Sequence, residues 1–161
     1  MALFVHLAPE KAVRSIRRVG LKPGRYSKGV FALPATPDFY ASHQWLRELR
    51  RFTPGSMRAV YFRLAGDAPV LFGRYGGPHR EGTADEAVAA LMQAEDKLGA
   101  EAIVLQPVAA RAITSIRALR QVTGWRFYPG AKGRKPCGCP GCISRGEPFS
   151  QALRRAYEAQ G

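Results

Sequence analysis

Two short apolar runs, "LFVHL" at residues 3–7 and "VFAL" at 30–33, enclose a basic helix and a Gly-containing loop, and this pattern most limits the fold. Each run has strand length rather than helix length. The first places His6 near its end. Between them Pro9 suits the first position of a helix, and Glu10 suits its positive N-terminus. Ala12, Val13, Ile16 and Val19 recur at helical spacing, Arg14, Arg17 and Arg18 form the opposite face, and Gly20 stops the helix. Residues 22–28 read as a loop opened by Pro23-Gly24, with Arg25, Tyr26 and Ser27 exposed.

After the second strand, Thr36 caps a helix with Pro37 at its first position, running to Arg51 with Leu46 and Leu49 inward. Residues 57–64 alternate, Val60, Phe62 and Leu64 on one face against Tyr61 and Arg63. Residues 70–75 form a further strand, paired with 57–64 as a hairpin through "AGDAP", and "GGPHREG" at 76–82 reads as a loop. Thr83 and Glu86 have capping-box spacing, opening a helix to Leu98 with Val88, Leu91 and Met92 inward and Gly99 at its end. Strands follow at 101–105 and 113–119, and 123–128 adds one more. The order β-α-β-α-β-β-α-β-β predicts an α+β fold with a split, mostly antiparallel sheet and flanking helices.

Length allows one domain, taken as residues 1–128, and a basic Cys-containing tail, 129–161, ending in a short helix. No apolar run reaches the ~20 residues of a membrane span, and the N-terminus lacks a signal-peptide pattern, so a cytoplasmic protein with no membrane partner is expected. Lys and Arg number 25 against 12 Asp and Glu, a net charge of +13. Such a surplus draws polyanions, and RNA or DNA is the expected partner over a merely basic, solvated surface. Arg suits forked phosphate recognition. The sequence holds no Walker A loop, no G-x-G-x-x-G and no H-E-x-x-H.

The run "FVHLAPEKAVRSIRRVGLKP" followed by "SKGVFALPATPDFYAS" resembles the start of the ADP-ribosyltransferase fold, in its poly(ADP-ribose) polymerase version. His6 matches that family's strand-ending histidine, residues 16–21 its "I-x-x-x-G-L" helix end, and Gly29-Val30-Phe31-Ala32 its "G-I-Y-F-A" strand. "GAEAIVLQPVAARAITSI" is similar to the later segment in which a Glu opens a strand, which makes Glu101 the counterpart of the essential carboxylate. The resemblance spans residues 3–119. It implies NAD as cofactor, Glu101 and His6 as catalytic residues, and His6, Arg25, Phe31 and Tyr40 around the dinucleotide, with Arg14 and Lys28 as further pyrophosphate candidates. In that chemistry a carboxylate orients a ribose hydroxyl and stabilises an oxocarbenium-like state, and an aromatic ring stacks on nicotinamide. Leu7-Ala8 stand where the family has Gly-Ser or Gly-Thr, and Phe31 where it has a tyrosine. Two alternatives stay open. One is an RNA 2′-phosphotransferase-like enzyme of the same fold, against which Phe31 counts because a second histidine stands there. The other is a non-catalytic nucleic-acid-binding module.

Cys137, Cys139 and Cys142 lie in "RKPCGCPGCISRG" with C-x-C-x-x-C spacing. Clustered thiols in a reducing compartment suit zinc, with His79, His43 or a non-protein group as the fourth ligand; a reduced Gly-Cys turn or a redox pair is the alternative. Lys132, Arg134, Lys135 and Arg145 flank the cluster and Trp125, Phe127 and Tyr128 precede it, a basic and aromatic set suited to gripping a nucleic-acid backbone and stacking on a base. His79, beside Arg74 and Arg80, is a candidate for metal, for phosphate, or for simple exposure.

Overall fold

The fold grows from one strand, β1 (Ala2–Pro9), on which Ala2, Phe4 and Ala8 are buried and the intervening residues less so. In the computed structural model, residues 1–119 are described apart from 26, 51, 52 and 54, together with 155 and 159; the side chains at 39, 40, 47 and 50 are not described. Residues 1–119 make one compact unit and 120–161 a second. The expected strand at 123–128, the C-terminal helix, Cys137, Cys139, Cys142, Lys132, Arg134, Lys135 and Arg145 lie outside the described residues. Among the described residues, no helix is long and apolar enough to cross a membrane.

The fold is α+β, as expected: seven strands in the order β5-β4-β6-β2-β1-β3-β7, every neighbouring pair antiparallel. The strands are β2 (Val30–Pro34), β3 (Met57–Leu64), β4 (Pro69–Arg74), β5 (His79–Thr83), β6 (Ala100–Val104) and β7 (Ile113–Ala118). The helices are α1 (Val13–Val19), α2 (Phe39–Arg50) and α3 (Ala84–Gln93). β1 pairs β3 over eight positions, from Ala2↔Leu64 to Pro9↔Met57. This ladder stacks Phe4 on Phe62, ring centroids 6.0 Å apart and both fully buried, and these rings, with Val60, Phe72, Val70 and Val104, make the core. Each such ring contributes on the order of 2–3 kcal/mol by leaving water.

The expected capping box opens α3: the Thr83 N–H donates to Glu86 Oε2 at 2.7 Å and the Glu86 N–H to Thr83 Oγ1 at 3.3 Å. Several expectations need correction. Pro9 ends β1 rather than starting a helix, and a 3-10 turn, Glu10–Ala12, precedes α1. Glu10 is held instead against β3, its N–H on Ser56 O and its carboxylate receiving both forks of Arg58 at 2.6 and 2.8 Å. Of the predicted stripe of α1 only Ile16 is buried, and Val19 is exposed, because two turns bury little more than one side chain. α2 starts at Phe39, not Pro37, since Asp38 caps it by accepting the Ala41 N–H, and Leu49 is exposed. α3 stops at Gln93, short of Leu98, where Ala94 turns extended; Met92 is exposed.

The expected β3–β4 hairpin does not form. The connection crosses over instead: the Ala84 N–H bonds Ala68 O and the Asp85 N–H bonds Gly66 O, each at 2.9 Å, tying it to the start of α3. β4 therefore lies on the far side of the sheet, between β5 and β6. The supposed loop 76–82 contains β5, an edge strand with no large apolar side chain, and edge strands with one solvated side carry little apolar signal.

Replacing Phe62 by Ala removes a fully buried ring and is expected to cost about 3–5 kcal/mol, whereas Phe31→Ala, at a side chain 46% exposed, changes stability by about 0.5 kcal/mol or less. Urea unfolding midpoints at fixed slope measure both.

Candidate functional site

β1 and β2 pair at only two positions, Phe4↔Pro34 and Val5↔Leu33. The same register continued would set His6 against Ala32 and Leu7 against Phe31, yet pairing stops there, while β1 stays fully laddered to β3 on its other side. The two strands thus stop pairing in mid-sheet. His6 lies where they part. Its Nδ1–H donates to the Phe31 carbonyl at 2.7 Å, bridging the parted strands with a side chain where a backbone bond is missing. With the proton on Nδ1, Nε2 keeps a lone pair and acts as an acceptor. Burial holds the His6 pKa below its ordinary value, and the Phe31 bond opposes this less strongly, so the ring is neutral near pH 7.

Phe31 is fixed by what precedes it. A Cβ on Gly29 would lie 2.3 Å from Val104 O, so only glycine lets the start of β2 press against the end of β6. That contact sets the register Val30↔Val104, Phe31↔Ile103, Ala32↔Ala102. Directly opposed residues share a face of a sheet, and side chains alternate along a strand. Phe31, Ile103 and Glu101 therefore carry their side chains on one face, with Glu101 diagonal to Phe31.

Glu101 is the one buried charged or polar residue among those described, 8% exposed. Burial raises its pKa; a hydrogen bond and the charge of His79 act in the opposite sense. The segment before it is pinned by α2: the Trp45 indole N–H donates to Ala100 O at 2.9 Å, and the Gly99 N–H to Gln44 Oε1 at 2.7 Å. Gly73 opposes Glu101 on one side and His79 on the other. His79 Nε2 meets Glu101 Oε1 at 2.9 Å, a reach that spans three strands. Glycine at 73 permits it, since a Cβ there would sit 2.6 Å from Pro78 O and 3.4 Å from His79 Cδ2. Both partners line a cavity of about 550 Å³, with Phe72, Leu91 and alanines of α3 as its apolar wall.

The structure thus ties the His6 ring to the Phe31 backbone carbonyl and sets Glu101 on the face of the Phe31 side chain, while His6 itself projects from the face of Phe4. Arg25 is exposed in the loop before β2. Tyr40 falls in the first turn of α2, its side chain outside the described set, and residue 26 is not described. Glu101 and His79 were not paired by sequence reasoning, which offered His79 to metal or phosphate. Among the described residues no group of three or more His, Cys, Asp or Glu is arranged to hold a metal ion. The available signal was the polar, strand-length spacing of "HREGT" after a Gly-Gly-Pro turn, which marks the second arm of a hairpin. No family model, curated protein or solved structure matches the chain.

Two measurements probe this geometry. His6 binds fewer protons folded than unfolded, so its contribution to stability is present above about pH 6.5 and is lost as pH falls from there through its depressed folded value. Glu101, with a raised pKa, acts oppositely at lower pH. Urea midpoints of wild type and His6→Asn between pH 7.5 and 5, values chosen to straddle about 6.5, are expected to converge on acidification. Gly73→Ala is expected to cost about 1–3 kcal/mol and to separate His79 from Glu101, read from the His79 imidazole NMR shifts at one fixed pH.

Proposed function

We propose that this protein is an NAD-using ADP-ribosyltransferase-like enzyme, with nucleic acid as acceptor or bound partner. One observation carries the reading: β1 and β2 part where His6 and Phe31 meet, and Glu101 lies on the same face as Phe31. The split, antiparallel character expected of this fold has its counterpart in that interrupted ladder.

The residues suit NAD as a substrate. Parted strand edges offer backbone donors and acceptors to a carboxamide, which carries one of each like a further peptide unit. Leu7 stands at this edge, its side chain bulkier than the family's glycine. The exposed Phe31 ring is a platform for the flat nicotinamide, without the hydroxyl that a tyrosine adds. Neutral His6 accepts a hydrogen bond from a ribose hydroxyl at Nε2. Arg25, exposed on the loop leading to β2, is the candidate for holding the pyrophosphate.

In the reaction the ribose C1′–N bond breaks and its electron pair leaves with nicotinamide, which departs neutral. Positive charge gathers on the ribose, where the Glu101 carboxylate stabilises it and orients the neighbouring hydroxyl. The acceptor heteroatom bonds C1′, and its proton passes to Glu101 and then to water. A net charge of +13 favours a polyanionic acceptor.

With labelled NAD and RNA or DNA, wild type is expected to release nicotinamide and label the nucleic acid, and Glu101→Gln to lower the rate by about 10²–10⁴. No release, no transfer and no change in Glu101→Gln would overturn the enzyme reading. Salt-sensitive nucleic-acid binding with no heat on NAD titration would then identify a binding module on this fold.

A further inference from the structure

The geometry points to His79 as a positioning residue for Glu101: it holds one carboxylate oxygen from across β4, so that the other is presented to the ribose. This rests on the reading of NAD as substrate.

A buried carboxylate with one partner is oriented by that partner alone, because the terminal torsion of a glutamate is broad and roughly two-fold. Among the described residues, Glu101 receives one hydrogen bond, from His79 Nε2 to Oε1 at 2.9 Å. Oε2 is left for another donor. His79 is well placed to act as a fixed strut. Its side chain is 20% exposed against 9% for Glu101, and its backbone is laddered to β4 at Gly73. Gly73 leaves the lane between them clear, since a Cβ there would crowd His79. β4 in turn is laddered to β6 through five pairs, from Val70↔Val104 to Arg74↔Ala100, so both ends of the strut belong to one rigid three-stranded section.

The chemistry needs such a strut. A glutamate carboxylate that turns freely meets the ribose hydroxyl in only part of its orientations, and misplacement by about 1 Å can cost on the order of 10²-fold in rate. An ionised Glu101 requires the proton of the pair to sit on His79 Nε2, which makes His79 the donor; both residues line the cavity. His79 touches neither ribose nor nicotinamide in this arrangement; it acts through Glu101.

The test uses the full chain and measures nicotinamide release from NAD, with kcat and KM separated, alongside the melting temperature. His79→Leu is expected to lower kcat by about 10²-fold with KM for NAD changed by no more than about threefold, the pattern of a lost transition-state interaction. His79→Gln places an amide N–H close to where the imidazole Nε2–H lies and is expected to recover kcat to within about tenfold of wild type. Added to Glu101→Gln, His79→Leu is expected to lower the rate no further, as for two residues acting as a unit. A wild-type kcat in His79→Leu overturns the inference while leaving the NAD reading intact. So does an equal loss in His79→Leu and His79→Gln at unchanged melting temperature. If the unaltered protein releases no nicotinamide and binds no NAD, the substrate reading fails, and the inference fails with it.

Discussion

Seven strands hang together as one sheet through a short seam, Phe4↔Pro34 and Val5↔Leu33, extended by the Ala35 N–H on Leu3 O at 2.8 Å. On one side of this seam β1, β3 and β7 are laddered closely; on the other β2, β6, β4 and β5 are. Sheets twist, and two well-laddered sections joined at a short seam are free to twist apart beyond it. The resulting gap is an inexpensive way to expose strand edges inside a fold, because neighbours on both outer sides keep the backbone in place. The His6–Phe31 bond spans that gap, and Glu101 enters the site from the section that carries Phe31.

This arrangement explains why chemistry and stability are assigned to different residues of the same strands. Along β1, Phe4 is sealed in the core while His6, two residues on, is only half-buried at the gap. Along β6, Ala102 and Val104 pack into the core and Glu101, second in the strand, lies on the other face. On β6 the period of two gives the strand both duties, whereas on β1 Phe4 and His6 share a face and differ because pairing with β2 stops between them. Glu101 costs free energy to bury, and its compensation comes from His79 rather than from solvent.

Much of this was legible in the chain. β1, β2, β3 and β6 announce themselves by short apolar runs, and the Thr83–Glu86 box by its spacing, because these signals are local. What failed was non-local. The path from β3 to β4 depends on α3 backbone groups met only after folding, so "AGDAP" looked like a hairpin turn. β5 pairs on one side, carries no large apolar residue and so wrote no pattern into the sequence. His6 and Glu101 could be picked out as candidates from their surroundings, but the partnership of Glu101 with His79 passes through Gly73, whose part is to contribute no side chain at all.

β5 has one more consequence. Among the described residues it is one of the two edges of the sheet, and an edge strand offers unpaired amides and carbonyls to any passing strand, including that of another copy. Here the edge carries His79, Arg80 and Glu81, with Arg80 folded over the Phe72 ring at 4.3 Å. Charged side chains of this kind discourage edge-to-edge pairing. The strand that lends a histidine to Glu101 thus also guards one edge of the sheet, so sequence change along β5 is constrained by solubility as well as by the site.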